Sequence, residues 1–117
     1  MNILVIDDEV LVLEMLQKVL NRWDFHVDIA QSGAQGISKF DSGNYDLVIT
    51  DIRMPGVDGH MVVHHIKASK REFTPVIGLS GTPWELCDGS FDDILDKPFN
   101  LEALVEKAKV LTCSRFA

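Results

Sequence analysis

Five short strand-like runs alternate with stretches of helical spacing from one end of this sequence to the other, and that alternation constrains the fold more than any other feature. The runs are residues 2–6, 25–30, 47–50, 75–79 and 92–95. The first and third are apolar almost throughout, as strands buried on both faces must be. Between the first two, Val12, Leu13, Leu16, Val19, Leu20 and Trp23 recur at helical spacing, with Glu14 and Lys18 as an i,i+4 pair on the opposite face. Ser32 suits the cap of a second helix reaching about residue 40, where Ser42-Gly43-Asn44 stops it. A third helix is expected over 58–70, after a Pro-Gly turn. A last one follows an Asn100 cap and carries Leu101, Leu104, Val105, Ala108 and Leu111 on one face. Right-handed crossovers between such strands put helices on both sides, so the chain reads as α/β with a doubly wound five-stranded parallel sheet.

The chain has 117 residues, the length of one domain, and 18 acidic residues against 11 basic give a net charge of -7. That balance argues against nucleic acid or an anionic membrane as the direct partner, and suits a metal cation or a basic protein face. Cys87 and Cys113 stand far apart and in no metal-ligand spacing. No apolar run reaches the ~18 residues that a membrane span needs, and no basic leader precedes the first one. A cytoplasmic location is the expectation.

In a sheet of this kind, function is expected just beyond the carboxyl ends of the strands. The residues there are Asp7 and Asp8 after strand one, Asp51 after strand three, Ser80 after strand four and Lys97 after strand five. Three neighbouring carboxylates repel one another and call for a counter-charge. An all-oxygen set with room for water suits Mg²⁺. A carboxylate beside a hard cation can attack phosphorus, and a lysine and a hydroxyl can grip the phosphoryl oxygens. Polar residues do cap strand ends for no further reason, but five of them at four strand ends are poorly accounted for in that way.

The order Ile-Asp7-Asp8-Glu9, then Thr-Asp51-Ile-Arg53-Met-Pro55-Gly56-Val-Asp58-Gly59, then Leu-Ser80-Gly81, then Asp-Lys97-Pro98-Phe99 resembles the receiver domain of two-component response regulators, from residue 2 to about residue 113. The resemblance implies a flavodoxin-like strand order 2-1-3-4-5 and a single receiver domain over residues 1–117 with no output domain. It implies Asp51 as phospho-acceptor, with Ser80 and Lys97 contacting the phosphoryl group. Mg²⁺ would be held by Asp8, Asp51 and the main-chain carbonyl of Arg53, with Asp7 joining through water. The Lys97–Pro98 bond becomes a candidate cis peptide. The implied partners are a sensor histidine kinase or histidine phosphotransfer protein as donor and a downstream protein as target, with weak homodimerisation allowed and neither nucleic acid nor membrane contacted directly. The domain would assist its own phosphotransfer and dephosphorylation without being an enzyme in the ordinary sense.

Two positions depart from the family pattern. The residue three before the lysine, usually aromatic and mobile in this family, is Ile94. The segment 81–91 is short and broken by Gly81, Pro83 and Gly89, so a shortened fourth helix is expected there. Gly81, Trp84 and Ile94 therefore define the expected switch segment, with 81–90 moving on phosphorylation and the last helix nearly still. A phosphorylation-independent module of the same fold is one rival. A haloacid-dehalogenase-type phosphatase is another, but the place of its second aspartate, two residues after the nucleophile, is taken by Arg53. His60 and His64 have a metal-clamping spacing but no third ligand, and read as surface. The stretch 85–96 holds five acids and no base, and reads as a solvated loop or a docking patch for a basic partner.

Overall fold

The computed structural model describes residues 1–81 and 89–114. The elements run β1 (Asn2–Ile6), α1 (Val10–Asn21), β2 (His26–Ala30), α2 (Gly33–Ser42), β3 (Leu47–Asp51), α3 (Gly59–Lys67), β4 (Val76–Ser80), β5 (Asp93–Asp96) and α4 (Leu101–Ser114). All strand pairs are parallel, in the order β2-β1-β3-β4-β5. The helix expected between strands four and five, and with it Trp84, falls on 82–88, outside the described residues; α4 here is the last helix.

Side-chain alternation along the strands feeds two cores. Ile3, Val5, Leu47, Ile49, Ile77 and Leu79 face Leu13, Leu16 and Leu20 of α1 and Leu104, Val105 and Ala108 of α4. On the other face Leu4, Ile6, Val48 and Val76 meet Phe40 of α2, Val62, Val63 and Ile66 of α3, and Phe91. Truncating a wholly buried leucine such as Leu16 to alanine in such a core costs about 2–5 kcal/mol.

Helix starts follow the sequence closely. Ser32 Oγ accepts from the Gln35 N–H, Asp58 Oδ1 from Met61 N–H, and Asn100 Oδ1 from Glu102 and Ala103 N–H. One helix end differs from expectation: α3 stops at Lys67 rather than at residue 70. The Ser69 hydroxyl donates to the Ile66 carbonyl at 2.6 Å and accepts from the Arg71 N–H, which turns the chain away. Trp23 also departs from the apolar face of α1. It lies past the helix end, 52% exposed, with Lys109 Nζ 3.7 Å from its ring centroid. His64 is exposed and Val62, Val63 and Ile66 point inward, as the helical spacing requires.

Candidate functional site

Sheet register alone gathers the site. Ile6 pairs with Thr50, so Asp7 and Asp51 are both one step beyond the same rung. Asp51 pairs with Leu79, which places Ser80 one step further, and Ser80 pairs with Asp96, which does the same for Lys97. Four polar side chains thus line one edge at the point where strand order reverses, between β1 and β3.

Carboxylate oxygens of Asp7, Asp8 and Asp51 lie within 4.8 Å of one another, Asp7 and Asp51 buried and Asp8 exposed. Lys97 Nζ stands 3.3 Å from Asp51 Oδ2, 3.4 Å from Asp7 Oδ2 and 3.9 Å from Glu9 Oε1. The Glu9 N–H donates to Asp7 Oδ1 at 2.9 Å. Burial is the main reason the Asp7 carboxyl is pushed up to about 6; the Glu9 N–H opposes this, the Asp51 charge adds to it, and Lys97 opposes it. Burial likewise raises Asp51, against the pull of Lys97. Burial by itself would lower the Lys97 ammonium, but the Asp7 and Asp51 carboxylates outweigh it and hold it above its ordinary value. One ammonium among three carboxylates leaves a local excess of negative charge on oxygen ligands only. That donor set fits a hard divalent cation such as Mg²⁺.

Backbone contacts hold the acceptor loop. The Ile52 N–H donates to Leu79 O at 3.1 Å and the Gly59 N–H to Ile52 O at 2.9 Å. Gly59 sits so close that a Cβ there would meet Asp51 O at 2.5 Å. Gly56, with φ of +74°, makes the turn in the same loop. Ser80 is buried, and its carbonyl accepts from the Lys97 N–H at 2.6 Å. The Lys97–Pro98 bond is cis. Arg53 is exposed beside Asp51, on the rim of an open cleft of about 520 Å³ formed with Ile52, Met54, Pro55 and Asp58.

Of the expected switch residues, Gly81 is exposed, and Ile94 on β5 pairs with Gly78 on β4 and is 36% exposed. Sequence reasoning missed Phe91, which is buried against Gly78 and Ile52. The acidic stretch also needs correction among its described residues. Asp92 pairs with Lys67 at 3.1 Å and accepts the Val76 N–H, and Asp93 pairs with Lys107 at 2.5 Å. These acids fasten β5 to its neighbours rather than forming a free patch. Among the described residues, the histidines enter no group with metal-ligand geometry.

A parallel sheet with a buried acidic pocket and a lysine at its switch point defines an α/β domain whose polar site lies at the carboxyl ends of its strands. Residues 3–109 match the family model for the response regulator receiver domain, and the chain belongs to that family, the receivers of two-component signalling. It is similar to the transcriptional regulatory protein ResD of Bacillus subtilis, 35% identical over 93% of this chain and 47% of that protein. It is also similar to TcrA of Mycobacterium tuberculosis, 34% identical over 94% of this chain and 45% of that protein. The chain thus spans about half the length of these curated relatives. Among solved structures, response regulator TrrA of Thermotoga maritima in complex with Mg²⁺ and BeF superposes with a TM-score of 0.86 at 39% identity, over 94% of this chain and 97% of that one. Chemotaxis response regulator CheY4 of Vibrio cholerae, 23% identical with a TM-score of 0.86 over 94% of this chain and 97% of that one, shows the same fold. No helix among the described residues is long and apolar enough to cross a membrane.

Proposed function

We propose that the domain is a phosphorylation switch in which Asp51 takes a phosphoryl group from a phosphohistidine of a sensor kinase or histidine phosphotransfer protein. The observation that carries this reading is Asp51 itself: a buried carboxylate at a strand end, 3.3 Å from a lysine and grouped with Asp7 and Asp8. An Asp51 Oδ attacks phosphorus, the P–N bond breaks, and the imidazole leaves with the electron pair. Attack of water on the same phosphorus returns Asp51 to its carboxylate, so the domain assists both its loading and its reset. Asp8, Asp51 and the Arg53 carbonyl would hold Mg²⁺, with Asp7 reaching it through water; the bound ion supplies charge neutralisation for the phosphoryl oxygens. Lys97 neutralises a further oxygen, and the Ser80 hydroxyl donates to another. The phosphorylated domain then binds a downstream protein differently.

Incubation with acetyl phosphate and Mg²⁺, followed by mass spectrometry, tests this. A phosphoryl adduct on Asp51 that is lost in Asp51→Asn is expected; an unmodified wild-type protein would overturn the reading. In a parallel Mg²⁺ titration Asp8→Ala should bind the ion more weakly, and unchanged affinity would remove Asp8 from the ligand set.

A further inference from the structure

Gly78 lies in the middle of β4, paired to Thr50 on one side and Ile94 on the other. Glycine in a strand interior weakens it, and marks a place where another group comes close. Here two groups do. A Cβ on Gly78 would lie 3.0 Å from Ile52 Cδ1 and 3.0 and 3.1 Å from Cδ1 and Cε1 of Phe91. The ring of Phe91 therefore fills the notch left by the missing side chain, with the tip of Ile52 against the same spot. Phe91 also meets the His60 imidazole edge to face, with centroids 5.6 Å apart and an interplanar angle of 71°.

Of the two residues that Phe91 meets, Ile52 borders the acceptor directly and His60 is tied to it through Gly59. Ile52 directly follows Asp51, and its carbonyl accepts from Gly59, the neighbour of His60. Gly59 in turn rests on the Asp51 carbonyl. Phe91 is itself held firmly from one side, because Asp92 exchanges two hydrogen bonds with Val76, one through its main chain at 2.9 Å and one through its side chain at 2.7 Å, and pairs with Lys67. A displacement of the 52–59 loop must press on this ring or be resisted by it, since a packed interior has no slack to absorb it.

We infer that Phe91 is the positioning residue of the switch: seated in the Gly78 notch between Ile52 and His60, it fixes the acceptor loop and passes its rearrangement to the chain entering β5. The inference rests on Asp51 being the acceptor. Phe91 touches no reacting atom and acts through Ile52 and Gly59.

The test uses the full chain with Phe91→Leu, which keeps apolar bulk but removes the ring, and Gly78→Ala, which pushes on the ring from below. Phosphorylation by acetyl phosphate is timed, and the His60 imidazole resonances are followed by NMR with and without Mg²⁺ and beryllofluoride. In the unaltered protein beryllofluoride should shift the His60 signals. Both variants should remain folded, lose that response, and load phosphate on the order of tenfold more slowly, the scale of a small misplacement of reacting groups. An unaltered protein that takes phosphate while its His60 signals stay still would overturn the inference and leave the acceptor standing. So would variants that load at the wild-type rate with the His60 response intact. An unaltered protein that takes no phosphate on Asp51 would overturn both.

Discussion

Lys97 Nζ lies almost evenly between two buried carboxylates, 3.3 Å from Asp51 and 3.4 Å from Asp7. It is thus the counter-charge of the resting protein as well as the expected ligand of the phosphoryl group. Lys97→Ala should lower stability in chelator by about 1–2 kcal/mol, less than the ~3–5 kcal/mol of a dry pair because Lys97 is 21% exposed. Thermal melts in chelator check this, and an unchanged melting temperature would count against it. The same variant should still accept phosphate, more slowly, and fail to change partner binding.

The Asp7 carboxyl, raised to about 6 from 3.8 by burial first of all, sets a pH dependence. Its folded value exceeds its unfolded one, so its contribution to stability is complete below the unfolded value and is lost as pH rises through about 6. In chelator the melting temperature of wild type should therefore gain more between pH 7 and pH 5 than that of Asp7→Asn. Parallel curves for the two proteins would refute it. Asp51→Asn, which relieves the same repulsion, should melt higher than wild type in chelator.

Tyr45 is buried and donates to Asp28 Oδ2 at 2.7 Å. Burial, then the hydrogen bond and charge of Asp28, push its phenol up to about 12 from 10.0. The stabilisation is complete below the unfolded value and is lost as pH rises through about 12. Since the chain has one tyrosine, phenolate absorbance reports on it alone. The absorbance should appear near pH 12 or with unfolding, whichever comes first; titration of the folded protein near 10 would contradict this. Tyr45→Phe should cost about 0.5–1.5 kcal/mol at neutral pH.

Gly59→Ala places a methyl 2.5 Å from Asp51 O, where only main chain can give way. A cost of about 1–3 kcal/mol is expected from such overpacking, together with slower phosphorylation, because the displaced atoms belong to the acceptor. Gly56→Ala, at a positive φ but with nothing within 4 Å of the added Cβ, should cost about 1 kcal/mol and leave the loading rate closer to wild type. Equal loading rates in the two variants would show that crowding at Asp51 is unimportant.

Asp7, Asp51, Ser80 and Lys97 were legible in the sequence because each stands at the carboxyl end of a strand or one step past it, and parallel register turns that position into proximity. The two cores were legible for a similar reason, since strand and helix spacing dictate which side chains face inward. Phe91 was not. It sits amid acids, outside any periodic run, and what draws it inward is a missing side chain at Gly78, thirteen positions earlier on another strand. The acidic stretch misled in the same way: its local composition is that of a loop, while the partners of Asp92 and Asp93, Lys67 and Lys107, come from α3 and α4. The end of α3 turned on one hydroxyl, that of Ser69, which no periodicity reveals.

The sheet is finished at both margins. Its outer strands, β2 and β5, are only five and four residues long, and they carry His26 and Asp28 on one and Asp93 and Asp96 on the other. A further strand laid along either would crowd these charged groups and disturb the Asp93–Lys107 pair, which is how short charged edges discourage growth of a sheet. Edges of this kind disfavour strand-to-strand pairing between copies of the domain. The register that lines up Asp7, Asp51, Ser80 and Lys97 is set by strand pairs within the single chain.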